Sequence, residues 1–355
     1  MIDWQMLQHH AANLVRLSIG GSDTGAHITR YAMYRRLREV ALLWAPPPRL
    51  KVLSISHSEA LCEILCLPTP EITSLDYPHG NMLELPYESA LFHCVVSDQV
   101  LEHVAGDPFQ AVSETFRVVR PGGLVVHTTC LINPVHGAPL DYWRFTVDAL
   151  RLLCDGDGII VEASGWGNPY AWIAIALGLR HQPVPEDVNH PLHQLAVHND
   201  PAWPIVTWVI ARKKPLLDNA LIGNGKIAFF DAEYPAQVRA GSEFIVRFRL
   251  LNECELALSS LYSNPIYLSY HWFDQNGRCV VYDGERTPFP FDIQPGETVT
   301  VGVRVLAPPN NGPHRLQISP VQERVCWLHD KLPEAILRLE VSVTGPTTLP
   351  VHPQL

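Results

Sequence analysis

The chain has 355 residues, enough for about two domains, and 47% of them are hydrophobic against 17% charged, the balance of a globular protein with a sizeable core. A net charge of −10 with no basic block to offset it excludes general nucleic-acid binding. The N-terminal run MIDWQMLQHH lacks the basic-then-apolar pattern of a signal peptide, and the longest apolar patch, Ala171–Leu179, is far short of the roughly 20 residues that span a bilayer.

Eight cysteines are scattered without zinc-type spacing, which fits free thiols in a reducing cytoplasm. Cys62 and Cys66, four apart, share one helix face rather than a metal knuckle. Gly20–Asp23 reads as a loop. Ala26–Trp44 reads as a helix, with Ile28, Tyr31, Leu37, Val40, Ala41 and Trp44 at near-helical spacing and Arg30, Arg35, Arg36 and Arg38 on a solvated basic face. Pro46–Pro48 stops it. Lys51–Ser56 is a short strand, Ala60–Cys66 a helix with Ser58 as N-cap, and Glu71–Leu75 a second strand ending at Asp76. A loop, Tyr77–Tyr87, leads to the central block. There a buried strand (Phe92–Ser97), a helix (Pro108–Val119), a Pro121-Gly122-Gly123 turn and a strand (Leu124–Thr128) form a βαβ unit.

A helix over Val147–Cys154, capped by Thr146, a strand over Gly158–Ala163, a helix over Tyr170–Leu179, a loop over His181–Pro204 and a last strand, Ile205–Ala211, complete an α/β pattern with a largely parallel sheet. Ligands in such sheets bind at the carboxyl ends of the strands. After the linker Leu216–Gly225 the pattern becomes all-β. Its short strands are Ile227–Tyr234, Phe244–Leu251, Ile266–Phe273, Cys279–Tyr282, Thr298–Leu306, His314–Ser319 and Ile336–Val343, with an Asn276-Gly277 hairpin signal. This predicts an immunoglobulin-like β-sandwich. The expected organisation is a helical region over 1–45, an α/β domain over 46–214, a linker over 215–225, a sandwich over 226–345 and a disordered tail over 346–355.

Three stretches, DQVLEHV (Asp98–Val104), FRVVRPGGLVV (Phe116–Val126) and LDYWRFT (Leu140–Thr146), resemble the class I S-adenosylmethionine-dependent methyltransferases, in particular the type-11 branch of glycan gene clusters. The resemblance runs from about Val52 to Lys213. It implies a Rossmann-like seven-stranded sheet with Ile205–Ala211 as its antiparallel strand, and S-adenosylmethionine as cofactor. The family's acid and glycine-rich loop correspond here to Ser54-Ile55-Ser56-His57-Ser58, in which serine replaces the acid and the glycines. Small residues are kept, but each serine adds a Cβ where the backbone turns.

By the same resemblance, Asp76 would meet the ribose, with Tyr77 also among the cofactor-binding residues, Asn81 and Met82 the adenine, and Ser97, Asp98 and Gln99 the methionine side. Asp76 could equally cap a turn, and Met82 could equally be core. Some relatives hold a divalent metal with Glu, Glu and His from the turn at 99–103. Gln99 stands for the first, and a neutral amide is a poor ligand, so no metal is expected. Candidate acceptor-side bases are His103, His136 and Asp141, with His103 alternatively a helix-start histidine bonded to backbone. His127, Tyr142, Trp143 and Arg144 would bind substrate. The aromatics could instead plug the sheet edge, and Arg144 could pair with Asp141.

Pro265–Pro290, Ile293–Pro308 and Val321–Asp330 resemble the glycan-binding sandwich of O-antigen exporters. Trp272, Tyr282 and Trp327 would be sugar platforms, or Trp272 a core residue. The combined expectation is a cytoplasmic O-methyltransferase acting on a surface polysaccharide or its lipid-linked precursor. Its partners would be a glycan or glycolipid acceptor and a homo-oligomer or assembly partner. The alternative is a catalytically inactive methyltransferase-fold module that binds glycan or assembles with a partner.

Overall fold

The structure, a computed structural model, describes residues 25–42, 50–67, 70–137, 139–215 and 221–345, together with Met6, His9, His10 and Asn13. The expected loop at 20–23, Trp44, the Pro46–Pro48 stop, most of the linker and the 346–355 tail lie outside the described residues. The described chain divides into two compact units, one ending at Lys214 and one beginning at Pro215.

The first unit opens with α1 (Ile28–Leu42), whose predicted apolar face is buried through Ile28, Tyr31, Leu37, Val40 and Ala41. The elements that follow are β1 (Lys51–Ile55), α2 (Glu59–Ile64), β2 (Glu71–Leu75), β3 (Phe92–Asp98), a 3₁₀ turn at Leu101–His103, α3 (Pro108–Val118) and β4 (Val119–Cys130). Next come α4 (Val147–Cys154), β5 (Gly158–Trp166), α5 (Pro169–Ala174) with a π turn to Leu179, α6 (Pro191–Val197) and β6 (Val206–Lys213). The sheet order is β2-β1-β3-β4-β6-β5, with β6 antiparallel to both neighbours and the other pairs parallel. Phe92, Val95, Leu101, Phe116, Val125 and Leu150 pack one face of it.

Three expectations need correction here. Among the described residues the sheet has six strands, where seven were expected. Only residues 76–91 separate β2 from β3, and they are spent on tight turns: Gly80 N–H donates to Asp76 O and Glu84 N–H to Asn81 O. A further parallel strand needs crossovers of a dozen or more residues on each side. The Pro-Gly-Gly run is a bulge inside β4 rather than a turn before it: Phe92 pairs with Val119 and Cys94 with Leu124. Gly122 takes φ +73°, and a Cβ on Gly123 would sit 2.7 Å from His93 O. Finally, the 181–204 loop contains α6, whose first turn is capped by the His190 ring accepting from Leu192 N.

The second unit is all-β. One sheet runs β11-β10-β14-β16-β8, with β12 on β10 and β15 on β14, and a three-stranded sheet runs β13-β9-β7. These strands are β7 (Ile227–Glu233), β8 (Gln237–Arg239), β9 (Glu243–Asn252), β10 (Ile266–Asp274), β11 (Cys279–Val281), β12 (Thr287–Pro288), β13 (Thr298–Leu306), β14 (Gly312–Gln322), β15 (Cys326–Trp327) and β16 (Leu337–Thr344), with a short α7 (Leu328–Lys331). Trp272 on β10 joins the layers: its ring packs on Phe244 of β9, and its indole N–H donates to Leu306 O of β13. Alternation along β13, with Val299, Val301, Val303 and Val305 inward, supplies the facing side. Asn276-Gly277 turns the β10–β11 hairpin, with Gly277 at φ +78°.

Candidate active site at the strand ends

The carboxyl ends of β1, β2, β3 and β4 lie side by side, because Ile55 pairs with both Leu75 and Ser97, and Asp98 pairs with Thr128. After β1 the chain makes a tight turn. Ser56 and His57 take φ +54° and +60°, the left-handed backbone that the family obtains with glycines. For residues with a Cβ this costs roughly 1–2 kcal/mol each. Three bonds hold the turn. Ser58 Oγ donates to Ile55 O at 2.6 Å and accepts from Asp98 N at 2.8 Å, and Asp76 Oδ1 accepts from His57 N at 2.9 Å. Ser58 stands at the start of α2 but does not cap it with its side chain, since its hydroxyl is spent on β1 and β3.

Asp76 keeps 30% of its side chain exposed, with His57 Nδ1 at 3.5 Å from Oδ2. Tyr77 is exposed beside it. Asn81 turns its Oδ1 to Leu83 N at 2.9 Å, forming a local turn. Met82 is a core residue, buried with Leu53, Ile55 and Leu85, so the proposed adenine contact is not available to it. Ser54 is likewise fully buried, leaving only its backbone for a ligand.

Asp98 is the charged centre of the site. Its carboxylate accepts from Tyr34 and Thr128 hydroxyls, and Arg30 Nε lies 3.7 Å away. Arg30 and Tyr34 are four apart on α1 and therefore share a face. Reading Arg30 as solvated missed this. Its side chain is only 14% exposed, because α1 lies over the strand ends. The i, i+4 spacing of an arginine and a tyrosine on a helix with a separate apolar stripe was the available signal.

Ser97 and His127 do not reach the cleft. Strand alternation turns both away from it: Ser97 Oγ and His127 Nδ1 lie 2.7 Å apart and fully buried, with Thr115 Oγ1 on the other ring nitrogen. Burial pushes the His127 pKa down to about 3, so the ring is neutral. His127 is a core residue and not a substrate ligand.

On the acceptor side, LDYWRFT is tied to the LEH turn, since Tyr142 N and Trp143 N both donate to Glu102 O. Trp143 donates its indole N–H to Val104 O at 2.9 Å and stacks on Phe145, which makes it a plug with one exposed edge. Tyr142 is freely presented. Asp141 is fully engaged: Arg144 grips it through both guanidinium NH groups and His136 N donates to it. The arginine hydrogen bonds hold its carboxyl well below the usual range. A carboxylate so weakly basic is not a general base, so Asp141 positions the loop, and Arg144 is its ion-pair partner. His103 Nδ1 donates to Leu140 O at 2.7 Å, which leaves its Nε2 with the lone pair a base needs. Its ring meets His136 edge-on at 5.0 Å. A pocket of about 530 Å³ opens alongside, lined by Asn133, Asp141, Tyr142, Arg144 and Trp172 among others.

A largely parallel sheet with an antiparallel penultimate strand, and an acid at the end of each of the two parallel strands that flank β1, are the features of a Rossmann-like α/β fold. Residues 40–127 match the family described as methyltransferase domain. A probable S-adenosylmethionine-dependent methyltransferase of Mycolicibacterium smegmatis is 39% identical over 94 residues, covering 26% of this chain and 35% of that protein. An uncharacterized 37.1 kDa protein in transposon TN4556 of Streptomyces fradiae is 37% identical over 82 residues, covering 23% and 24%. A Staphylococcus aureus demethylmenaquinone methyltransferase is 34% identical over 87 residues, covering 24% and 36%. The chain thus spans about a quarter to just over a third of the length of these curated relatives. Among solved structures, a Burkholderia thailandensis 1,6-didemethyltoxoflavin-N1-methyltransferase with bound S-adenosylhomocysteine is 14% identical at a TM-score of 0.34, covering 60% of this chain and 91% of that one. Residues 40–127 are therefore similar to a methyltransferase domain, and the matched Mycolicibacterium relative is a probable S-adenosylmethionine-dependent one.

Proposed function

We propose that the first unit, taken as residues 46–214 with α1 laid over it, is an S-adenosylmethionine-dependent O-methyltransferase. Its acceptor is a surface polysaccharide or the lipid-linked precursor, and it works in the cytoplasm. The observation that carries this reading is the placement of Asp76 and Asp98 on either side of the left-handed Ser56–His57 turn, with Arg30 against Asp98. The turn keeps the backbone path that lets a cofactor approach, although its residues are not glycines. A zwitterionic amino-acid end needs one cation and one anion side by side, and Arg30 with Asp98 supplies both. A diol needs two adjacent acceptor oxygens, and the half-open Asp76 carboxylate supplies them.

When bound, the cofactor supplies an electrophilic methyl group, and the remaining work falls to this chain. Arg30 and Asp98 fix the amino-acid end, and Asp76 fixes the ribose. Tyr142 packs against an apolar sugar face. His103, its Nδ1 pinned to Leu140 O, takes the acceptor hydroxyl proton at Nε2. Asp141 and Arg144 hold the loop that carries Tyr142.

In the second unit, read as an immunoglobulin-like sandwich over 226–345, Tyr282 is 66% exposed. Behind it His271 and Trp327 are buried, with Arg286 5.6 Å above the Trp327 ring, so Trp327 is not the sugar platform expected of it. The ledge formed by the exposed Tyr282 ring is the proposed glycan-binding surface, or the contact for an assembly partner or a second copy. Calorimetry with S-adenosylmethionine and S-adenosylhomocysteine tests the enzyme reading, and no detectable binding at millimolar ligand would sink it. One observation favours the inactive-module alternative: Asp98 is already satisfied by Tyr34, Thr128 and Arg30, so a ligand must join or displace those partners.

A further inference from the structure

Glu102 is fully buried, and only one of its carboxylate oxygens is accounted for. Oε2 accepts from Thr129 Oγ1 at 2.8 Å, while Oε1 has no donor in bonding geometry. A buried carboxylate oxygen left in this state is costly unless something positive comes to it. Two guanidiniums, Arg144 and Arg180, act on Glu102 through space, but neither bonds Oε1, and Arg144 is gripped by Asp141. Two other ligating atoms converge on the same point. The Cys130 thiol at the end of β4 and a ring nitrogen of His136 lie with the Glu102 oxygen so that all three are within 4.8 Å of one another. This set differs from the one the 99–103 turn suggests, since Gln99 is turned to Thr128 at 3.1 Å.

We propose that Glu102, Cys130 and His136 form a zinc site. The donor chemistry selects the ion: a thiolate with an imidazole and a carboxylate suits a borderline-soft cation, whereas magnesium and calcium take all-oxygen sets. Ligands of a tetrahedral zinc stand about 3.5 Å apart, so closing the site needs roughly an ångström of side-chain adjustment. The His136 Nδ1 contacts two acceptors, Pro134 O at 3.1 Å and Asp141 Oδ2 at 3.2 Å, and more distantly the Asn133 amide nitrogen at 3.3 Å; with the proton on Nδ1, Nε2 keeps the lone pair for the ion. A carboxylate behind a metal-binding histidine is the usual support for such a ligand. On binding, the Cys130 S–H bond breaks, an S–Zn bond forms and one proton passes to the buffer. Carboxylate and thiolate neutralise the ion's charge. Three protein ligands leave a fourth position for water or an acceptor oxygen. The site stands apart from the methyl-transfer reading, because metal binding is measured without any cofactor.

The test uses the full chain, reduced, stripped with a chelator and titrated with cobalt(II) as a spectroscopic probe for zinc. The expected result is about one cobalt per chain, with a sulfur-to-cobalt charge-transfer band that zinc displaces and magnesium does not. His136→Ala, at a side chain 27% exposed and so tolerant of truncation, should abolish the band. Cys130→Ser should abolish it too, and Glu102→Gln should weaken binding by about tenfold or more. No band at saturating cobalt would overturn the proposal. So would a band that survives His136→Ala, which would assign it to other thiols such as the exposed Cys66. If Cys130→Ser fails to fold, the His136 variant alone decides.

Discussion

Arg30 and Asp98 form an ion pair, 3.7 Å from Nε to Oδ2, between a helix near the start of the chain and the end of a central strand. Both side chains are mostly buried, so the pair is shielded from solvent and strengthened accordingly. It is the point at which α1 becomes part of the strand-end site.

Arg30→Gln removes the cation while keeping a hydrogen-bonding group. We expect S-adenosylhomocysteine affinity to fall by about tenfold or more, since a charge-assisted contact is worth roughly 1.5–3 kcal/mol. Arg30→Lys should recover part of the loss. Calorimetric titration of the three proteins reads this directly. Equal affinities would show that Arg30 only anchors α1.

Asp76→Ala should weaken cofactor binding more than about tenfold, because two ribose hydroxyls lose their acceptor. Ser56→Gly tests the turn itself. At φ +54° a Cβ is strained, so glycine there should leave stability unchanged or raise it by up to about 1 kcal/mol. A bulkier Ser56→Val should destabilise. Urea unfolding midpoints separate these outcomes, and a Ser56→Gly protein clearly less stable than wild type would remove strain from the account.

His127 predicts an acid-sensitive core. Its folded pKa of about 3 lies below the unfolded value of about 6.5. Between these values the unfolded chain binds the extra proton, so stability is full above about pH 6.5 and is lost as pH falls toward 3. The slope approaches about 1.4 kcal/mol per pH unit. His127→Gln lacks this contribution. Its stability, measured by denaturant unfolding from pH 7 to 4, should fall less steeply than that of wild type. Parallel curves would mean that His127 does not stay neutral.

Trp272 and Tyr282 should separate fold from binding in the second unit. Trp272 is fully buried and joins the two sheets, so Trp272→Ala should cost about 3–5 kcal/mol. Tyr282→Ala, at an exposed ring, should leave the melting temperature nearly unchanged and reduce retention on immobilised glycan. If Tyr282→Ala retains full glycan binding, the ledge is not the binding surface.

Much of the frame was legible in the chain. The period of apolar residues marked α1, the βαβ block and most strands of the second unit, because burying one face forces that spacing on a sequence. Motif residues located the strand-end cleft, and Asp76 and Asp98 within it. What sequence could not decide was which way each side chain faces and what shares its space. A strand reverses direction at every residue, so Ser97 and Asp98, adjacent in sequence, part company: one enters the core with His127, the other meets Arg30. Glu102, Cys130 and His136 are up to 34 residues apart, and only the packing of the LEH turn against the end of β4 brings them within 4.8 Å. Local spacing determines an element, whereas a site built from three elements is decided by how the elements pack.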